Sequence, residues 1–226
     1  MDLLFDETSM QDFLSPIWLS LKVAAVAGIA VIFIGTFIGR LFARRTFRGK
    51  AILETVLMLP MVLPPTVVGF FLIVVFGKRS LAGRAIEWLF NQPVIFTWWA
   101  AVIASAVVAF PLMYQSAKSG FQGVSRGIED AARIDGASEW KIFLFISIPL
   151  ASKALISGSI LSIARALGEF GATLMFAGNI PGETQTIPTA IYIAIDSGNM
   201  ALAWLWVISI VIISFIMLLI VRGKQD

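Results

Sequence analysis

The sequence predicts an all-α polytopic membrane protein with about five transmembrane helices, forming one domain over residues 1–226. Three observations carry that prediction: strong apolarity, long windows without charge, and a one-sided distribution of Lys and Arg. Apolar residues make up 58% of the chain and charged residues only 14%. The mean hydropathy of +0.90 lies far above that of a soluble domain. Residues 23–39 and 200–221 contain no ionisable side chain. A span needs roughly 20 apolar residues to cross a hydrocarbon core about 30 Å thick, and soluble helices of that length carry a polar stripe.

Composition also excludes several chemistries. The chain has no Cys and no His, which removes disulfides, thiolate or imidazole metal sites and His-based acid–base catalysis. No metal site and no catalytic residue is expected. The formal charge of +3 is too small to indicate nucleic-acid binding. Residues 1–15 hold Asp2, Asp6, Glu7 and Asp12 without Lys or Arg, whereas a cleaved signal peptide opens with positive charge.

The spans follow in order. The first covers about residues 16–39, with Lys22 placed so that its stem can snorkel. The second, about 52–76, is interrupted by Pro60, Pro64 and Pro65 and is expected to kink or break. Residues 77–93 form a surface helix: Leu81, Ala85, Trp88 and Leu89 recur at helical spacing, with Arg84 and Glu87 off that face. Such a helix lies on the outer leaflet. The third span is about 94–114, opened by Trp98 and Trp99. The fourth is about 154–177. The fifth is about 201–221, with Trp204 and Trp206 near its start, and these tryptophans fit an aromatic belt.

Loop charge sets the orientation. Residues 40–50 carry Arg40, Arg44, Arg45, Arg48 and Lys50; residues 115–153 carry Lys118, Arg126, Arg133, Lys141 and Lys153; the tail adds Arg222 and Lys224. The N-terminal segment and residues 178–200 have neither Lys nor Arg. Only the loop with Lys78, Arg79 and Arg84 departs from the pattern. The positive-inside rule then places the N-terminus outside and the C-terminus in the cytoplasm, which requires an odd number of spans.

The cytoplasmic stretch at residues 119–149, SGFQGVSRGIEDAARIDGASEWKIFLFISIP, is more than a connector. Residues 126–135 are helix-compatible and end at Gly136, a natural C′ residue. Ser138 can cap a second helix with Glu139 in its first turn. Trp140, Phe143, Leu144 and Ser147 share one face of that helix, Lys141 lies elsewhere, and Pro149 is expected to end it. A helix, a glycine turn and a second helix at the membrane surface form a device that can enter a groove on a soluble partner.

This segment resembles the cytoplasmic loop of permease subunits in binding-protein-dependent ABC importers. The family pattern is Glu-Ala-Ala, three residues, Gly, nine residues, Ile, one residue, usually Leu, then Pro. Here Asp130-Ala131-Ala132 stands at the triplet, Gly136 and Ile146 follow at those spacings, and Ile148-Pro149 closes the run. The departures are Asp130 for Glu, with Glu129 just before it, and Ile148 for Leu; both keep charge or apolar character. The resemblance implies a type I ABC importer permease fold. It also implies that Glu129, Asp130, Ala131, Ala132, Gly136, Ile146 and Pro149 belong to coupling helices that dock into a cleft on an ATPase subunit. Motion has to cross from a soluble subunit to the spans, so small Ala131, Ala132 and Gly136 suit close backbone approach, and Pro149 links the lever to the fourth span.

Two further stretches resemble permeases for molybdate and tungstate, with sulfate and thiosulfate permeases as the alternative. They are LPMVLPPTVVGFFL at residues 59–72 and ARALGEFGATLMFAGNIPGETQTIPTAIY at residues 164–192. The resemblance implies two ATPase subunits, an extracytoplasmic oxyanion-binding protein, and residence in a prokaryotic cytoplasmic (inner) membrane. ATP and Mg would sit on the ATPase, with no cofactor on this chain. No Gly-x-x-x-x-Gly-Lys-Ser/Thr is present: Gly49-Lys50 is followed by Ala51 and Gly77-Lys78 by Arg79. The chain is therefore read as a permease and not an enzyme. About five spans are few to enclose a path, so a homodimer with the path on its twofold axis is expected.

Candidate path residues are Pro64, Pro65, Thr66, Arg165 and Glu169. Arg165 and Glu169 lie four apart, on one helix face deep in the fourth span. Two readings stand: a structural ion pair, or an arginine that transiently attracts a dianion while Glu169 limits its grip. The prolines with Thr66 and Gly69 free backbone groups that line a path or serve packing. Gly158, Ser162, Ala166 and Gly171 suit close helix packing. Residues 178–200 are expected to face the binding protein. Other functional classes are an ion-coupled secondary transporter, opposed by the scarcity of intramembrane carboxylates, and a membrane scaffold, which leaves the cytoplasmic loop unexplained.

Overall fold

The computed structural model describes residues 7–222. Its described elements are helical throughout: α1 (Glu7–Arg44), α2 (Lys50–Val62), α3 (Pro65–Phe76), α4 (Leu81–Phe90), α5 (Trp98–Gly123), α6 (Arg126–Ile134), α7 (Glu139–Ile142), α8 (Ile148–Leu150), α9 (Ser152–Leu167), α10 (Gly171–Ala177), α11 (Ile187–Asp196) and α12 (Met200–Arg222). A π-helical turn over Phe143–Ser147 joins α7 to α8. Three helices are each long and apolar enough to cross a membrane, and the number reaches up to 5 if each bent pair is one span.

The centre is a seam between α1 and α5, with α9 against both. It closes because small residues face it. A Cβ on Gly35 would lie 2.7 Å from Met113 Cγ, and one on Gly39 would lie 2.7 Å from Ala117 Cβ. Ala100, Ala101, Ala104, Ala109 and Ala117 of α5 are wholly buried. In an apolar solvent no hydrophobic force holds helices together, so backbone proximity of this kind supplies the dispersion contact that does. The expected packing role of Gly158, Ser162 and Ala166 holds as well: all three are buried, and Gly158 meets Ser116.

The spans differ from expectation at their ends and in two interiors. The first helix is longer than residues 16–39 and carries Pro16 internally, and it includes Arg40 and Arg44, which the sequence reading placed in a loop. The third runs on to Gly123, so the loop that follows begins at Val124 and not at residue 119. The second span does break at the prolines. Leu63, held extended by the following Pro64, ends α2, and Pro65 opens α3 at a position where a missing N–H costs nothing. The axes bend by 119°, so this is a turn and not a kink.

The fourth span is not continuous over residues 154–177. α9 stops at Leu167, residues 168–170 are non-helical, and α10 starts at Gly171. At 16 residues, α9 is about 24 Å long at 1.5 Å per residue, too short to cross alone. A helix does form within residues 77–93, as α4, capped by Ser80, whose Oγ accepts from Gly83 N at 2.8 Å. The expected outer loop contains α11, which starts with Pro188 in its first turn. Its entry is fixed where Ile187 N donates to Ser20 Oγ of α1 at 2.7 Å.

Candidate functional site

The loop after α5 folds as expected at its turn. α6 ends at Ile134, and Gly136 takes φ 84°, a conformation that favours glycine. Ser138 Oγ accepts from Lys141 N at 3.4 Å as the second helix begins. Arg133 then clamps the two arms, donating to Asp130 Oδ1 at 2.5 Å and to Glu139 Oε1 at 2.5 Å. The Arg133 hydrogen bond holds the Glu139 carboxyl below the usual carboxylate range, against a smaller effect of burial. The glycine turn is therefore a hinge braced by an ion triad.

The second arm departs from the predicted face. Trp140 is 62% exposed, while Ile142 and Ser147 are fully buried. The π turn over Phe143–Ser147 inserts an extra residue and rephases the helix. Pro149 does not end it: the helix continues to Leu150, and the chain then bends by 77° into α9 at Ala151.

Glu129 was expected to belong to a docking surface. It is instead 2% exposed and turned inward. Its Oε1 accepts from Arg40 Nη1 at 2.5 Å and from Ser147 Oγ at 2.8 Å, and lies 2.9 Å from Arg44 Nη2. Arg44 also donates to the Val124 carbonyl at 3.0 Å, closing the start of the loop onto the end of α1. One carboxylate thus joins α1, α6 and the π turn. Of the remaining predicted loop residues, Asp130, Ala131, Gly136 and Pro149 are exposed, while Ala132 and Ile146 are half-buried.

Burial would raise the Glu129 carboxyl, but the bonds from Arg40 and Ser147 and the two guanidinium charges outweigh it and hold it below its ordinary range. A depressed carboxylate contributes stability above its unfolded value, about 4.3, and loses it as pH falls through the lower folded value. Thermal unfolding in detergent is therefore expected to shift downwards only below about pH 4 through this group. Glu129→Gln should remove that acid limb; a limb of the same size in the variant would refute it.

A second tie escaped the sequence reading. Lys118 Nζ of α5 lies 2.7 Å from Glu54 Oε1 of α2, and the Tyr114 hydroxyl donates to the same oxygen at 3.2 Å. The only available signal was a carboxylate placed early in an apolar run.

The predicted path residues meet where the two breaks pack. A Cβ on Gly171 would lie 2.9 Å from Pro65 Cβ, and one on Gly69 would lie 2.6 Å from Met175 Cβ and 3.1 Å from Ala172 Cα. The turn at Pro64, Pro65 and Thr66 thus rests on the start of α10, and its three residues stay exposed. Arg165 and Glu169 do pair, with Nη1 to Oε2 at 2.7 Å. They do not share a helix: Glu169 lies in the break after α9, where its Oε1 accepts from Ala172 N at 2.8 Å and caps α10. Glu169 is buried, and Arg165 keeps a third of its side-chain surface open.

A bundle of apolar helices with breaks in two of its spans, and a braced arm between α5 and α9, is the architecture of a polytopic membrane protein. The chain matches the binding-protein-dependent transport system inner membrane component family over residues 17–223 and belongs to that family. It is 65% identical over 225 residues to the putative molybdenum transport system permease protein YvgM of Bacillus subtilis (strain 168), covering 100% of this chain and 99% of that protein. It is 45% identical over 194 residues to the molybdenum transport system permease protein ModB of Escherichia coli (strain K12), covering 85% of each. A chain of the inward-facing MetNI methionine ABC transporter superposes with a TM-score of 0.75 at 17% identity, covering 97% of this chain and 99% of that one. The all-α importer-permease fold expected from the sequence is thereby shown.

Proposed function

We propose that this chain is the permease subunit of an ATP-driven importer for a tetrahedral oxyanion, molybdate or tungstate. The observation that carries the reading is full-length likeness, at 65% identity, to a protein described as a molybdenum transport permease. Sulfate transport has less support, since both relatives named above are described as molybdenum permeases.

The chain works with partners. An extracytoplasmic protein delivers the anion, in keeping with the binding-protein-dependent family. Two ATPase subunits dock on the exposed side of the α6–α7 arm, where Ile134 stands open beside Ala131. Two copies of the chain enclose the path. The nearly bare α12, with only 11% of its central window buried inside one copy, leaves apolar surface for lipid and for that second copy. The Lys and Arg clusters put the C-terminus in the cytoplasm.

The arm is the lever. Its tilt passes to α1 through Glu129 and to α9 through the bend at Ala151, and the last turn of α9 carries Arg165 to the break. There the partly open Arg165 attracts the dianion, and the ion pair with Glu169 keeps the site weak enough to release it. High affinity is left to the binding protein. ATP binding and hydrolysis then shift the population between outward-open and inward-open states.

The test is reconstitution of the chain with its ATPase and binding protein in liposomes, following labelled molybdate. Uptake should require ATP. Uptake driven by an ion gradient without the ATPase would overturn the reading. Arg165→Ala should cut uptake at least about ten-fold, the loss of roughly 1.4 kcal/mol of barrier stabilisation, while the complex still assembles. Unchanged uptake by an assembled variant would make Arg165 a packing residue.

A further inference from the structure

We infer that the arginine-lined cavity between the end of α1 and the α6–α7 arm binds an anionic phospholipid. The cavity holds about 480 Å³. Arg40, Arg44, Arg45, Arg126 and Arg133 line it, against the three carboxylates Glu129, Asp130 and Glu139. Three of these arginines are committed: Arg40 and Arg44 to Glu129, and Arg133 to Asp130 and Glu139. Arg45 and Arg126 have no ion-pair partner among the described residues, and both are exposed. The cavity therefore carries an excess of positive charge held by two free guanidinium groups.

Apolar side chains share the cavity with these charges: Phe37, Leu41, Trp140 and Phe143 complete the lining. Phe37 continues an exposed strip on α1 with Ile34 and Phe33, one helical turn deeper in the span. A ligand with an anionic head and a hydrocarbon tail matches this mixed lining, with its phosphate at Arg45 and Arg126 and its acyl chain along Phe37 and Phe33. Basic pockets beside the cytoplasmic ends of spans have the chemistry to hold such headgroups, and Trp140 sits where an aromatic ring marks the interface. A soluble oxyanion would satisfy the charge but leave the aromatic side chains unmatched. Only the choice of leaflet rests on the orientation proposed above. The lipid would brace the arm against α1 beside the Glu129 node.

The test titrates dioleoylphosphatidylglycerol into the delipidated full chain in detergent, alone and assembled with its ATPase, and counts bound lipid by native mass spectrometry. Dioleoylphosphatidylcholine is the zwitterionic arm; inorganic phosphate and molybdate are the soluble arms. Phosphatidylglycerol should be retained over phosphatidylcholine in both preparations. Its affinity should fall about five-fold for each of Arg45→Gln and Arg126→Gln and stay unchanged in Lys78→Gln/Arg79→Gln. Any one of four results would overturn the site: equal binding of phosphatidylcholine, no effect of Arg45→Gln with Arg126→Gln, displacement by phosphate or molybdate, or loss of the lipid once the ATPase is bound. The last would mean that protein fills the cavity. Arms on the unaltered chain decide the matter even if a variant folds poorly.

Discussion

Glu129→Ala should give an unstable permease with impaired coupling between ATP hydrolysis and uptake. Removing the carboxylate leaves Arg40 and Arg44 facing each other without a counter-ion, at side-chain exposures of only 13% and 16%. It also leaves the Ser147 hydroxyl only its longer bond, at 3.3 Å, to the Ile142 carbonyl. Breaking a buried ion pair from one side costs about 3–5 kcal/mol, because the abandoned charge stays desolvated. The residual exposure of both arginines points to the lower end, about 3 kcal/mol. Asp130→Ala, one residue away but with a side chain 64% exposed, should cost less than about 1 kcal/mol of stability. Thermal unfolding of the two variants in one detergent makes the comparison. Glu129→Gln keeps an acceptor for Ser147 and one arginine, so it should fold better than the alanine variant while its ratio of ATP hydrolysed to anion taken up still rises. Equal stability of Glu129→Ala and Asp130→Ala would remove the inward node, and an unchanged ratio in a folded Glu129→Gln would remove its transmission role.

Glu169→Ala is the second large effect. The substitution orphans the Ala172 amide, an unsatisfied buried donor worth about 1–3 kcal/mol, and strands Arg165 beside the break. Because α10 is short and packs its first turn on Pro65, losing the cap should also loosen the α2–α3 turn. Glu169→Gln separates the two roles. Its amide oxygen can still accept from Ala172 N, so the fold should survive, while Arg165 is released from its counter-ion. Under the proposed mechanism, uptake by Glu169→Gln falls because the freed arginine holds the anion longer. Melting temperature and uptake, measured side by side, should therefore diverge in Glu169→Gln and fall together in Glu169→Ala. If the two variants melt alike, the cap is not what holds α10.

Much of the α6–α7 arm is legible in the chain because its signals are local. Gly136 reads as a turn from its lack of a Cβ, Ser138 as a cap from its short hydroxyl, and the charge clusters as loop markers from the cost of moving them through hydrocarbon. The inward role of Glu129 was not legible, since a carboxylate beside Asp130 looks equally exposed until α1 extends past Arg40 to meet it. The π turn hid for the same reason: no residue from Phe143 to Ser147 is unusual alone, and the buried demand of Ser147 for a partner on α6 goes with the rephased helix. At Arg165 and Glu169 the spacing of four predicts one helical face. The pair forms, but across a helix end, because Gly168 leaves the helix and the Glu169 side chain satisfies the next helix start.

The sequence by itself determined a helical membrane chain, an order of spans, a kink or break at the prolines and a glycine turn in the arm. Those follow from residue-level transfer energies and backbone preferences that act over a few positions. Only the tertiary structure decided that both breaks pack on each other, that one carboxylate ties three elements, and that two arginines are left without partners beside apolar side chains. Those outcomes depend on which side chains meet across 80 or more residues, as Arg44 and Val124 do, and such meetings are set by how Gly35 and Gly39 let α1 close on α5.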